Sequence, residues 1–295
     1  LIRGEQPIRW RPIPAVELLR LFAGSAFASI GVISSLMAFA AFHDGLRLQI
    51  DRHFCIIAAL AAFIAVLAGL ARILATTEIN FKAGRGGLQI HIGIGDIFKQ
   101  PNSVAAIPMN DFFDAELETI IAPDTVHGIF LDKMFRGDRD AARSTIDLAL
   151  QNQSISATEQ ETVARKIGAT KRFPIGATCL LSTDRSKFIL LSLSKTDAAT
   201  NQVSTSIPDF VTALSGLWKG ARSLASHQEI SVPLMGTGTS RTQLEYEDAL
   251  DFILLTAIRE HNREPFTRRL NIVLRPEHLS RIDLVSLKRR YKHDV

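Results

Sequence analysis

The chain has 295 residues (32.5 kDa), 46% of them hydrophobic, 22% charged and 7% aromatic, with a mean hydropathy of +0.13. That much apolar material excludes a disordered chain, and two cysteines exclude a disulfide framework or a cysteine-based zinc site. The formal charge is +4, from 34 basic against 30 acidic residues. With no basic run interleaved with aromatics, nucleic acid is not an expected partner.

The apolar residues crowd toward the N-terminus. Leu21–Phe42 is a run of 22 residues without formal charge, and Phe54–Ala71 is a run of 18. As helices rising about 1.5 Å per residue they reach roughly 33 and 27 Å, enough to cross a bilayer core. Arg72 can snorkel and let the second run extend to Leu74. The polar link His43–His53 then closes a hairpin, because backbone in hydrocarbon must satisfy its own hydrogen bonds. Two other readings fit less well. The first run exceeds the ~7–15 residues of a signal-peptide core. Neither run shows the polar stripe of a helix in a soluble protein.

The sequence therefore predicts an N-terminal region, residues 1–77, with two transmembrane spans at about 21–42 and 54–74. Arg3, Arg9, Arg11 and Arg20 precede the spans and Arg72, Lys82 and Arg85 follow them, whereas the link offers Arg47 and Arg52. That bias puts both ends on the cytoplasmic side of the membrane. Gly24, Ala28, Gly31 and Ser35 line one side of the first span. Such a small-residue face serves subunit assembly or packing within the hairpin.

From residue 78 to 295 the pattern is that of an α/β domain. Strands are predicted at Leu88–Ile94, Val104–Ile107, Ala177–Ser182, Phe188–Leu193, Ile230–Met235 and Leu270–Leu274. Helices are predicted at Asp140–Leu150, Pro208–Leu224 and Thr242–His261, the last opening on the capping-box spacing of Thr242 and Glu245. Strands alternating with helices argue for a mixed sheet covered by helices on both faces. Gln151–Thr170 reads as a polar excursion.

Two junctions carry the candidate chemistry. One is Gly93-Ile94-Gly95-Asp96-Ile97-Phe98 at the end of a strand; the other is Pro233-Leu234-Met235-Gly236-Thr237-Gly238-Thr239-Ser240 before a helix. Ligands of α/β sheets bind beyond the carboxyl ends of the strands. Backbone N–H groups of a Gly-Thr-Gly turn at a helix start suit phosphate, although an ordinary tight turn has the same composition. Asp96 also suits a helix N-cap. No metal-ligand spacing links His91, His227 and His261, and Cys55 and Cys179 read as packing residues. Arg165-Lys166, Lys171-Arg172 and Arg268-Arg269 could help bind an anion but read mostly as solvated faces, and Lys288–Lys292 reads as a basic stretch suited to anionic lipid.

Taken together, Gly95-Asp96-Ile97, Val104–Asn110 and Pro233–Ser240 resemble, in order, the signature segments of macro domains, which bind ADP-ribose. Ile107–Asp114, Val126-His127-Gly128 and Phe173-Pro174-Ile175-Gly176 narrow the resemblance to the ThsA effectors of Thoeris antiphage defence, in the version that carries two transmembrane helices. The resemblance implies a macro-like fold behind a transmembrane hairpin, in a bacterial inner membrane. It implies an effector that binds an ADP-ribose-derived signal, of the histidine–ADP-ribose type, made by a TIR-domain partner. Binding would drive homo-oligomer assembly and membrane disruption. It implies that Asp96 reads the adenine amine with the Ile97 N–H beside it, that Asn110 meets the distal ribose, and that His127 and Gly128 take the place of the first phosphate loop. Gly236, Thr237, Gly238 and Thr239 would cradle the diphosphate. No cofactor, metal or catalytic residue is implied. Hydrolytic macro domains carry a glycine-rich first loop, and Gly128 stands alone here; a binder is therefore expected ahead of the alternative, a membrane-tethered ADP-ribosyl hydrolase using Asn110 and His127.

Overall fold

The structure, a computed structural model, describes residues 77–292 except 101, 153–160, 166, 184–185 and 238–243, together with Phe63 and Leu67. The chain divides into two compact units, Leu1–Thr76 and Thr77–Val295. The expected membrane span 21–42 lies outside the described residues, and so does the span 54–74 apart from Phe63 and Leu67. Among the described residues no helix is long and apolar enough to cross a membrane.

The sheet of the second unit grows from runs whose apolar residues demand burial. Its strands are β1 (Glu78–Ala83), β2 (Leu88–Ile94), β3 (Ser103–Asn110), β6 (Thr178–Ser182), β7 (Lys187–Thr196), β8 (Val203–Ser204), β9 (Glu229–Pro233) and β10 (Arg269–Leu274). They run in the order β1-β2-β10-β9-β3-β7-β6, with β8 beside β7. The pairs β2–β10, β10–β9, β9–β3 and β3–β7 are parallel, whereas β1 and β6 join antiparallel at the two edges. Two short strands, β4 (Glu161–Thr162) and β5 (Lys171–Arg172), form a separate ribbon. Five parallel strands therefore end together on one edge.

Helices α3 (Ile207–Leu224), α4 (Tyr246–Arg263) and α5 (Leu284–Lys292) accompany the larger core. There Trp218 is fully buried, stacks on Phe266 at 5.2 Å and donates from Nε1 to the Thr256 hydroxyl at 2.9 Å. Helices α1 (Val126–Phe135) and α2 (Arg139–Asn152) build the smaller core with Ile107, Met109, Phe188 and Leu190. The mixed sheet with helices on both faces is thus as expected.

Boundaries differ in three instructive places. The last long helix starts at Tyr246, not Thr242: Glu245 is its extended N-cap and makes no side-chain cap bond, while Glu247 and Asp248 complement the dipole of the first turn. Thr242 lies outside the described residues. β3 continues past Ile107 to Asn110 through Pro108, where its pairing with β9 has already stopped at Ala105. Helix α1 takes in His127 and Gly128, which were expected just before a helix, and β1 and α5 are additions to the sequence reading.

Candidate functional site

At the shared carboxyl edge, β2 is followed by Gly95, whose N–H donates to the Leu274 carbonyl of β10 at 3.0 Å. The next residue, Asp96, is the extended N-cap of a single 3-10 turn, Ile97–Lys99. Its Oδ1 accepts from the Phe98 N–H at 2.9 Å, and its Oδ2 takes the Lys133 ammonium at 3.1 Å. Burial alone would raise this carboxyl; the Phe98 N–H and the Lys133 charge outweigh it and hold it below the ordinary carboxylate value. Lys133 belongs to the last turn of α1 and lies 4.6 Å above the Phe98 ring. Ile97 turns inward and is buried.

Asn110 ends β3 at an irregularity: Met109 pairs with Ser192, but Asn110 pairs with Ser194. A bulge of this kind re-aims the strand end. The Asn110 side chain is buried and bonded at both ends to one neighbour, donating from Nδ2 to Asp114 Oδ2 at 2.8 Å and accepting the Asp114 N–H at 3.0 Å. Asp114 itself has no exposed side-chain surface. Arg165, equally buried, bonds both its oxygens at 3.0 Å, and the Ala169 N–H adds a bond of 2.8 Å. Arg165 also donates to Asn201 and stacks at 4.0 Å on Phe112, whose ring lies 4.8 Å from the Arg172 guanidinium. Arg172 pairs with Asp111, and Arg143 with Glu116. The segment 111–116 is a polar knot, closed by three arginines.

Helix α1 crosses the same edge. Thr125 caps it by accepting the Gly128 N–H, so His127 and Gly128 occupy its first turn rather than a loop before it. His127 is buried, and its Nε2 must donate to the Asp114 carbonyl at 2.9 Å, which fixes that tautomer. Burial lowers its pKa to about 4. A Cβ on Gly128 would meet the Ala122 carbonyl at 2.2 Å, so this glycine permits close approach of the preceding loop. At the helix start, Arg275 from the end of β10 donates to the Asp124 carbonyl at 3.0 Å. Beyond β9, Gly236 has φ +90° and a Cβ there would sit 2.9 Å from the Phe210 ring, so both backbone and core demand glycine. Among the described residues, no group of three or more His, Cys, Asp or Glu is placed to hold a metal ion. Cys179 is buried, and burial pushes its thiol up to about 12.

The family profile described as "Thoeris protein ThsA, Macro domain" matches residues 90–275. The chain belongs to this family. No curated protein matches it. Among solved structures, the Oceanobacillus iheyensis macrodomain with ADP is 17% identical, with 73% of this chain and 98% of that one covered and a TM-score of 0.48. The Mycobacterium tuberculosis DarG macrodomain is 12% identical, with 63% and 99% covered and a TM-score of 0.39. Thermosipho africanus DarTG in complex with ADP-ribose is 13% identical, with 72% and 47% covered and a TM-score of 0.42.

This ThsA-type macro domain brings Asp96, Ile97, Asn110, His127, Gly128, Gly236 and Thr237 to one edge of the sheet. Gly238 and Thr239 lie outside the described residues. Asp96 makes the N-cap bond of the structural reading and keeps a partly exposed carboxylate. Arg165, expected on a solvated face, is buried because Asp114 needs its charge. Asp114, Lys133, Arg143 and Arg275 are further residues of the site region. No local motif marks Lys133, Arg143 and Arg275 or the Arg165 partner of Asp114, since these contacts join residues 27–151 positions apart in the chain.

Proposed function

We propose that the domain binds an ADP-ribose-type nucleotide at the carboxyl edge of its sheet without hydrolysing it, and that the full chain is a membrane-anchored effector of antiphage defence. Family membership over residues 90–275, with Asp96 and Asn110 both at strand ends on that edge, is the observation that carries the reading. Asp96 would accept the exocyclic amine of adenine, a contact that rejects a carbonyl at the same position. The segment beyond β9 would hold the diphosphate through backbone N–H groups.

Two features support binding rather than hydrolysis. Asn110 spends both ends of its amide on Asp114. His127 is buried, with its Nε2 committed to a backbone carbonyl, and burial lowers its pKa to about 4, which makes it a weak base for taking a proton from water near pH 7. The signal would be a histidine–ADP-ribose conjugate supplied by a TIR-domain protein. Signal binding would favour an assembly in which N-terminal hairpins cluster and breach the inner membrane, which requires tighter binding to the assembled state.

Asp96→Ala tests the reading. Losing a hydrogen bond of ~1–3 kcal/mol should weaken ADP-ribose binding roughly five- to 150-fold in calorimetry and abolish toxicity on co-expression with the signal-producing partner. Unchanged affinity would contradict the assignment.

A further inference from the structure

Each oxygen of the Asp96 carboxylate already accepts one donor. Oδ1 is committed to the Phe98 N–H at 2.9 Å and Oδ2 to the Lys133 ammonium at 3.1 Å. The same ammonium stands 4.6 Å above the centre of the Phe98 ring. One cation therefore covers both features a purine would use here, a carboxylate for its amine and an aromatic face for its ring. Helix α1 delivers this cation from its last turn, and the helix is anchored at its start by the Arg275 bond to Asp124 and by the His127 bond to Asp114.

We propose that Lys133 is a built-in competitor for the base: its ammonium holds the Asp96 oxygen that the adenine amine needs, and a nucleotide binds by opening this ion pair. The proposal rests on the nucleotide-binding reading above and adds the residue that sets its threshold. The two side chains are 39% and 34% exposed, so the pair is weak and screened by salt. Such a pair tunes affinity by a few-fold rather than closing the site. It also places the cost of binding on a helix, so that opening the pair frees the last turn of α1 from the end of β2.

The test uses the full chain in detergent with two probes, ADP-ribose and the uncharged nucleoside adenosine. Adenosine carries no phosphate, so its affinity reports on the base site alone. Lys133→Met should bind adenosine roughly two- to five-fold tighter than the parent at low salt. Lys133→Arg, which keeps the charge, should match the parent. Raising salt from about 50 to 500 mM should tighten adenosine binding to the parent and leave Lys133→Met unchanged. Binding of ADP-ribose by both parent and variant shows that the site is intact. Unchanged or weaker adenosine binding by Lys133→Met, with ADP-ribose still bound, overturns the competitor role alone; with ADP-ribose weakened as well, it makes Lys133 a ligand contact. ADP-ribose bound by neither protein overturns the nucleotide-binding reading itself, and the proposal with it.

Discussion

His127 has no use for a proton in this fold. It is buried in the first turn of α1, its Nε2 donates to the Asp114 carbonyl, and burial takes its pKa from 6.5 to about 4. The unfolded chain takes up a proton as pH falls through 6.5, while the folded chain does not until about pH 4. Stability is therefore intact above pH 6.5 and is lost between there and about pH 4. A shift of that size corresponds to about 3 kcal/mol. His127→Gln, whose amide can still donate to Asp114, should flatten this part of the profile in denaturant melts at stepped pH; an identical acid slope would place the loss elsewhere. The chemistry of single residues was partly legible beforehand. Asp96 announces an N-cap by its place after a strand, while an adenine-reading role is what the macro-domain resemblance implies; the structure shows the cap bond. A histidine before an apolar run does not announce that its ring will be closed in by a loop thirteen residues upstream.

At the scale of elements, the knot around Asp114 ties three separated pieces of chain together. Arg165 comes from the polar excursion after α2, Asn201 from the turn between β7 and β8, and Phe112 and Asp114 from the end of β3. Removing one partner of a buried ion pair leaves an uncompensated charge, which costs about 3–5 kcal/mol. Arg165→Met should lower stability by that order in denaturant melts, and adding Asp114→Asn should recover part of the loss. Full stability of Arg165→Met would mean that the knot contributes little. The long elements α3, β2 and β10 follow their sequence patterns closely, because amphipathic spacing and β-branched runs report burial directly. Helix α1 escaped that logic: His127, Gly128, Phe130 and Leu131 are buried but make no clean stripe. The knot was illegible for a different reason, since its charges read as solvent-facing until the fold brings them together.

At the scale of the whole molecule, strand order follows from which runs are apolar on both faces. β7, with seven consecutive buried residues, sits inside the sheet, whereas β1 alternates and takes an edge. Helices α1 and α2 lie on one face against β3 and β6, while the cross-strand row Asn80, His91, Asn271 and Ser231 stays polar. The edge where β2, β10, β9 and β3 end together then gathers Asp96, Asn110, Gly236 and Arg275 without any one strand carrying a complete site. The two apolar runs of residues 1–77 remain the sequence-level basis for a membrane anchor.

The proposed function stands or falls on whether this edge holds an ADP-ribose-type nucleotide and leaves it intact. The direct measurement is calorimetric titration of the full chain in detergent with ADP-ribose and its histidine conjugate, followed by chromatography of the mixture. Saturable binding of the conjugate, with the ligand recovered whole, is expected. Recovery of cleaved products would contradict the binder and make the domain a hydrolase, and absence of binding to either compound would contradict the site.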